Sequence, residues 1–283
     1  MSAGPGGEGG GNAPREPKGA HGPKLPGLHS AAPDMRPSRP LFAALVGAQL
    51  LYPRVPPRGH TAATHGIVGL LAATTAADAV EDRGPLGAVA TVGVAGAIGY
   101  AAELGGVATG KPFGHYSYTD KLGPAWRGVP FMVFTSWAMM SRPAWSVAGL
   151  LTRSRVLRPL AAAGALTAWD VYVDPRMVRE GYWEWPQGGR YEGIPAQNFL
   201  GWFVTAAGVF AVWSLLDDGD PRDGHADASL AVFAWTWVGE AAANVLFWQR
   251  PRVAAAGGLA MGAFAVPALR ARLRAGGRFG GRR

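Results

Sequence analysis

The sequence between residues 169 and 202 combines carboxyl groups with large aromatic side chains more densely than any other part of the chain. Asp170 and Asp174 are four residues apart, so a helix would place both carboxyl groups on one side. Trp183 and Trp185 follow shortly after them. A carboxyl group in an apolar site favours its neutral, proton-donating form, and indole faces attract cations. The pattern predicts acid chemistry on an apolar substrate or, as the simpler alternative, an aromatic belt at a membrane surface.

Further polar side chains interrupt the long apolar segments of the chain. Such groups are costly inside a bilayer and are candidates for function, although a helix–helix hydrogen bond of about 0.6 kcal/mol is the structural alternative. His65 is interpreted as an interfacial histidine, and Asp78 as a helix-exit residue beside Glu81 and Asp82. The remaining polar residues of this kind are Thr74, Thr75, Glu103, Asn198, Glu240 and Asn244.

A metal site is the next possibility, because two carboxylates at a spacing of four could hold Mg²⁺ against a diphosphate. Such a site needs a second acidic cluster, and the only other one, residues 217–227, is predicted to lie in a solvated loop on the opposite side. The sequence has no cysteine, which excludes disulfides, thiolate metal sites and thiol nucleophiles. We therefore predict no metal site.

The composition indicates the elements that must position these residues. Hydrophobic residues make up 48% of the chain and charged residues only 16%, well below the roughly 25% of a soluble domain. We predict an all-α, polytopic integral membrane helix bundle with seven to eight transmembrane helices. The predicted spans are residues 41–52, 62–80, 86–104, 129–151, 157–173, 196–216, 230–248 and 253–269.

The predicted organisation is one transmembrane domain, residues 40–269, between two tails. Residues 1–39 are rich in Gly and Pro and are predicted to be disordered, whereas residues 270–283 form a basic Gly/Arg tail. The net charge of +8 is assigned to contact with anionic lipid rather than with nucleic acid. Two spans separate the loops 106–128 and 174–195, so both loops are predicted at the same membrane surface.

Two groups of short motifs add a family resemblance. The first group is Glu103-x-Gly105, Pro112-Phe113-Gly114-x-Tyr116-x-Tyr118, Leu122-Gly123-Pro124, and Val129-Pro130 with Trp137. The second is Ala168-Trp169-Asp170, Asp174-Pro175-x-Met177-Val178, Gly181-x-Trp183-x-Trp185, Tyr191-x-Gly193-Ile194-Pro195 and Asn198-x-x-Gly201-Trp202. In this order the motifs resemble the two signatures of the carotenoid biosynthesis membrane proteins, of the bisanhydrobacterioruberin and carotenoid 1,2-hydratase type.

The resemblance implies a hydro-lyase that adds water to the terminal isopropylidene double bond of an acyclic carotenoid of forty or fifty carbons. Such an addition needs no redox cofactor, ATP or other cofactor. It implies a multi-pass protein of the cell membrane. The expected partners are the lipid-soluble carotenoid, membrane lipid and other carotenoid enzymes.

Roles follow from the chemistry of this addition, which protonates one carbon and leaves a tertiary cation for water to attack. The candidate acids are Glu103, Asp170 and Asp174. Asn198 is the candidate for holding the water. The aromatic residues expected to line the cation and bind the substrate are Tyr116, Tyr118, Trp169, Trp183, Trp185 and Trp202.

Other functions remain open at this point. A carotenoid cyclase also begins with protonation, and a prenyltransferase would use the same apolar site with Mg²⁺. Intramembrane carboxylates can also relay protons in a transporter, and a scaffold could bind carotenoid without changing it.

Overall fold

The computed structural model describes residues 36–216 and 227–280, and these residues fold almost entirely into helices. The prediction of an all-α membrane helix bundle is confirmed. Within this part of the chain, three stretches are long and apolar enough to cross a membrane: Pro57–Thr109, Ala196–Leu216 and Pro251–Ala275. In the described residues the α-helices are α1 Ser38–Leu51, α2 His60–Ala88, α3 Val94–Thr109, α4 Met132–Leu151, α5 Leu157–Glu180, α6 Ala196–Leu216, α7 Asp227–Leu246 and α8 Pro251–Gly280.

The first of these stretches is broken near its middle. Gly84 has φ 72° and ψ 174°, a conformation that a residue without a Cβ adopts readily, and Pro85 follows it. A π-helical turn at Val89–Gly93 then leads into α3. An unbroken helix of 53 residues would be roughly 80 Å long, far more than a bilayer needs. The break agrees with the two separate spans predicted from the sequence.

Helices α4 and α5 form the centre of the bundle. Helix α5 packs against α4, α6 and α8, and α4 also contacts α2, α3 and α7. Large side chains fill the space between them, including Trp137, Leu166, Tyr172 and Phe210, which are all fully buried. Helix α1 has only 14 residues, about 21 Å, so it is shorter than the hydrocarbon core of a bilayer.

A proline inside α4 is compensated by a neighbouring helix. Pro143 lacks an N–H, so the carbonyl of Met139, four residues earlier, loses its helical partner. The hydroxyl of Thr75 on α2 donates to that carbonyl over 2.7 Å. The hydrogen bond that the proline makes possible therefore links α2 to α4.

Helix α5 also contains a proline whose unpaired carbonyl accepts from another element, and it continues past the predicted end of its span. Pro175 leaves the carbonyl of Val171 without a helical partner, and the Tyr191 hydroxyl donates to it over 2.9 Å. The helix ends at Gly181, which has φ 68°. Asp174 consequently lies within a helix rather than in the loop predicted from residue 174 onward.

The two long loops meet at one end of the bundle. Strand β1, Ser117–Tyr118, pairs antiparallel with strand β4, Trp183–Glu184. Strands β2, Ala125–Trp126, and β3, Val129–Pro130, form a separate hairpin within the first loop. The prediction that both loops lie on the same side is confirmed.

The structure and the predicted tails overlap only in part. The predicted disordered tail, residues 1–39, lies outside the described residues except for its last four, and α1 begins within those. Most of the acidic run 217–227 is also outside them. Helix α8 continues to Gly280, into the predicted basic tail, because Ala, Leu and Arg after Pro267 are strong helix formers.

Asp78 on α2, interpreted from the sequence as a helix-exit residue, belongs to a buried ionic cluster. Asp78 is 1% exposed rather than solvated. The Arg142 guanidinium on α4 donates to Asp78 over 2.5 Å and lies 3.1 Å from Asp82. The Ser229 hydroxyl on α7 also donates to Asp78 over 2.5 Å. The cluster joins three helices, and no sequence pattern had indicated that Arg142 would belong to it.

Candidate functional site

A cavity of about 110 Å³ lies between the helices, beneath the paired loops. For comparison, an engineered apolar cavity of about 150 Å³ binds benzene. The cavity can therefore take a small branched hydrocarbon group but not the whole of a long molecule. Its apolar lining comes largely from α2 and α4: Ile67, Val68, Leu71, Met132, Val133 and Met139.

Glu103, near the end of α3, is the most heavily hydrogen-bonded carboxyl group of the cavity wall. The hydroxyls of Tyr116 and Tyr118 both donate to its Oε2, the second over 2.8 Å. The indole N–H of Trp137 donates to its Oε1 over 3.2 Å. Burial, and then the negative charge of Glu103, raise the pKa of both tyrosines above the ordinary value, so the phenols stay protonated and keep donating. These contacts fix Glu103 in position at the cavity wall.

Trp137 is the site residue that sequence reasoning missed. It occurs in the first group of motifs, but nothing in the sequence showed that it would reach Glu103. The side chain is fully buried on α4 and lines the cavity. Its ring stacks on Trp202 at a centroid distance of 4.2 Å and an interplanar angle of 12°. It thus connects the carboxyl group to the aromatic wall.

The close approach of α3 to α4 at this point requires Gly99. A Cβ at this position would lie 2.1 Å from Cγ of Trp137. We expect Gly99→Ala to displace Trp137 and to lower the free energy of unfolding by about 1–3 kcal/mol, as overpacking does. Thermal unfolding in detergent measures this. Gly105→Ala on the same helix is the matched control, since its Cβ would meet nothing within 4 Å. Equal stability of the two variants would contradict the close packing.

The second carboxyl group of the cavity wall is Asp174, and Asp170 lies directly behind it. Asp174 lines the cavity, whereas Asp170 is fully buried and does not. The side-chain amide of Asn198 donates to Oδ2 of Asp170 over 3.1 Å and also to Oδ2 of Asp174. Both N–H groups of Asn198 are therefore committed to the carboxyl pair. Two carboxyl groups held so close share a proton more favourably than they carry two negative charges.

Aromatic rings surround these carboxyl groups. Tyr116 lies 5.7 Å from Trp185, and Tyr118 lies 5.7 Å from Trp183, measured between ring centroids. Glu184, between the two tryptophans, is exposed because the strand turns alternate side chains to opposite faces. Six predicted aromatic residues line the same cavity: Tyr116, Tyr118, Trp169, Trp183, Trp185 and Trp202.

No basic side chain neutralises these carboxyl groups within residues 36–216 and 227–280. The ion pairs of the described arginines go to other acidic groups, such as Asp78, Glu180 and Glu192. Carboxyl groups and indole faces therefore meet in an apolar space, and Arg176, which also lines the cavity, is paired with Glu180 and Glu240 instead. Such an arrangement stabilises positive charge that develops on a bound molecule.

The structure thus brings together most of the residues selected from the sequence. Glu103, Asp174, Asn198 and the six aromatic residues line one cavity, and Asp170 is the exception, because it contacts Asp174 and Asn198 from behind. The two motif groups form one wall of the cavity. Their carboxyl groups lie about 70 residues apart in the chain.

Comparison with known proteins gives one match. The model of a family described as carotenoid biosynthesis protein matches residues 63–265, which is well over half of the chain and includes every residue of the carboxyl and aromatic wall. Neither the curated proteins nor the solved structures include a match.

Proposed function

This chain belongs to the carotenoid biosynthesis protein family and has a role in carotenoid biosynthesis, and from that premise we propose that it is a membrane hydratase. The proposed reaction adds water to the terminal isopropylidene double bond of an acyclic carotenoid of forty or fifty carbons. The enzyme is proposed to be a multi-pass protein of the cell membrane and to need no cofactor.

The observation that carries this proposal is the composition of the cavity wall. Glu103 and Asp174 face an apolar space that is lined by indoles and phenols, and among the described residues neither carboxyl group forms an ion pair, because Arg176 of the same cavity pairs with Glu180 and Glu240. Protonation of an alkene needs an acid, and the resulting cation needs negative charge and aromatic faces close by. The same wall supplies both requirements.

The reaction is balanced by one water molecule. A carboxyl group delivers a proton to the less substituted carbon of the double bond, and the electron pair of that bond forms the new C–H bond. The positive charge then lies on the tertiary carbon that carries two methyl groups. The oxygen of water attacks this carbon and releases a proton, which restores the acid. The product is a tertiary alcohol.

Each carboxyl group is proposed to act according to its position. Glu103 and Asp174 can reach the substrate because they line the cavity. Asp170 acts through Asp174, sharing a proton with it and holding it in place together with Asn198. Asp170 is therefore a positioning residue in this proposal, and Asn198 has only its carbonyl oxygen left for another partner.

The cavity volume limits how the substrate binds. A space of about 110 Å³ takes one end group, so the polyene must extend out of it towards the lipid. The apolar side chains on α2 and α4 are suited to contact the first part of that polyene. The proposal therefore predicts recognition of the end group with tolerance of chain length.

Expression of the chain in a host that makes an acyclic carotenoid tests the reaction. We expect products whose mass exceeds that of the substrate by one or two water molecules, and Asp174→Asn should lower their yield by about 100-fold. A product of unchanged mass would indicate a cyclase instead, and a strict Mg²⁺ requirement would indicate prenyl transfer. Pigment retained without conversion would indicate a binding protein.

A further inference from the structure

The cavity has a second polar region, formed by residues of helices other than the one that carries Glu103. We call it the polar wall and define it as Gln49, Thr64, His65, Arg176, Thr236 and Glu240, all of which line the cavity. A hydrocarbon end group needs no such side chains, and polar groups are costly in a buried apolar space. The polar wall therefore calls for a ligand other than the hydrocarbon.

Different helices build the two walls. The polar wall comes from α1, α2 and α7, which contact one another, together with Arg176 of α5. The carboxyl wall, which is the part of the lining around Glu103, Asp174 and Asn198, comes from α3, α6, the paired loops and Asp174 of α5. Arg176 and Asp174 are two residues apart, about 200° around the helix, so α5 turns one towards each wall.

Some members of the polar wall already have partners within the protein. The Trp235 indole N–H donates to Gln49 over 2.6 Å, and the hydroxyl of Thr64 lies 3.2 Å from that of Tyr52. Arg176 is bound on several sides by Glu180 and by the rings of Tyr52 and Trp248. These contacts make the wall rigid and assign no ligand to it.

Glu240 and His65 differ from these neighbours. Glu240 Oε1 lies 3.8 Å from the Arg176 guanidinium, but its Oε2 is buried and has no hydrogen-bond partner among the described residues. His65 Nε2 is likewise buried without a partner in that part of the chain. Buried polar atoms are almost always paired, with protein or with ordered water. An acceptor oxygen and a ring nitrogen suit a small O–H ligand that both donates and accepts.

The charge of Arg176 separates the functions of the two walls. A carbocation next to a guanidinium is repelled, so positive charge on the end group is favoured at the carboxyl wall and disfavoured at the polar wall. A neutral water molecule has no such penalty. The polar wall is thus suited to hold water while the cation forms at the carboxyl wall.

We propose that the polar wall binds the water that reacts, with Glu240 accepting its proton and His65 orienting its oxygen. This inference rests on the proposed hydration. The carboxyl wall supplies a proton to carbon, water supplies the hydroxyl group, and Glu240 takes up the proton that water releases. One water is consumed, and the proton on Glu240 returns to the carboxyl wall before the next turnover.

An experiment in deuterium oxide distinguishes the role of the polar wall from that of the carboxyl wall. If water cannot attack, the tertiary cation loses a proton and re-forms an alkene, so the recovered carotenoid carries deuterium although no alcohol forms. We expect Glu240→Gln and His65→Phe, in membranes with an acyclic carotenoid, to lower alcohol formation by about 100-fold and 10-fold. Both variants should still incorporate deuterium within about twofold of the wild-type rate of protonation. Continued incorporation shows that the variants are folded.

Glu180→Gln is the matched control. Glu180 also pairs with Arg176, over 3.1 Å, but it does not line the cavity. We expect this variant to form alcohol at the wild-type rate. Wild-type alcohol formation in Glu240→Gln would overturn the inference and leave the hydratase proposal intact. Loss of deuterium incorporation together with alcohol, in Glu240→Gln but not in Glu180→Gln, would place Glu240 in the protonation step and would also overturn it. A wild-type protein that makes neither alcohol nor deuterated carotenoid would refute the hydration on which the inference rests.

Discussion

Glu103→Gln should lower the rate of carotenoid hydration by at least about 100-fold, the lower end of what a positioned acid contributes. The amide has nearly the shape of the carboxyl group, and its oxygen can still accept from Tyr116 or Tyr118. It cannot donate an acidic proton to an alkene, and it carries no negative charge to stabilise a cation. The measurement is alcohol formed per amount of enzyme in isolated membranes.

Glu184→Gln is the control for this prediction. Glu184 lies on β4 between two tryptophans of the cavity wall, but its own side chain is exposed. The change of charge is the same in both variants, and only Glu103 faces the substrate. Deuterium incorporation into recovered carotenoid should also be lost in Glu103→Gln, unlike in Glu240→Gln. Full alcohol formation by both Glu103→Gln and Asp174→Asn would rule out the proposed carboxyl acids.

Arg142→Met should lower the free energy of unfolding by about 3–5 kcal/mol, the usual cost of removing one partner from a buried ion pair. Asp78 is almost fully buried, and the hydrogen bond from Ser229 would remain. The variant would lack the guanidinium that pairs with the Asp78 carboxylate between helices α2 and α4. Thermal or denaturant unfolding in detergent micelles measures the change.

Two further variants make the interpretation of Arg142→Met specific. Arg153→Met, in the exposed turn after α4, should change stability by less than about 0.5 kcal/mol. The double variant Asp78→Asn with Arg142→Met should recover part of the loss, because it removes the uncompensated charge as well. If Arg142→Met and Arg153→Met were equally stable, the cluster would not hold the three helices together.

The helices and the composition of the site could be predicted from the sequence because those signals are local. Apolar runs long enough to cross a bilayer predicted the helix bundle. The spacing of four residues predicted that Asp170 and Asp174 share one side of a helix. Counting spans put the two loops at one surface, where β1 and β4 pair. Tyr116 and Tyr118 occur two residues apart in the first group of motifs, and both donate to Glu103.

Helix ends were less predictable, since prolines usually stop a helix. The fifth span was predicted to end at residue 173, just before Pro175, yet α5 continues to Glu180. The reason is that the Tyr191 hydroxyl donates to the carbonyl of Val171, which Pro175 leaves without a helical hydrogen bond. Such a partner lies far along the chain and follows no period.

The tertiary structure alone decided which polar groups meet. Asp78 looked like a solvated helix end and is the centre of a buried cluster, because Arg142 reaches it from 64 residues away. Trp137 belonged to a motif, but only the packing of α4 on α3 brings its N–H to Glu103. Residue type and spacing determine which face of its own element a side chain occupies. What that face meets depends on how the helices pack, and this placed Asp174 and Glu240 on the wall of one cavity and left Asp170 outside its lining, in contact with Asp174.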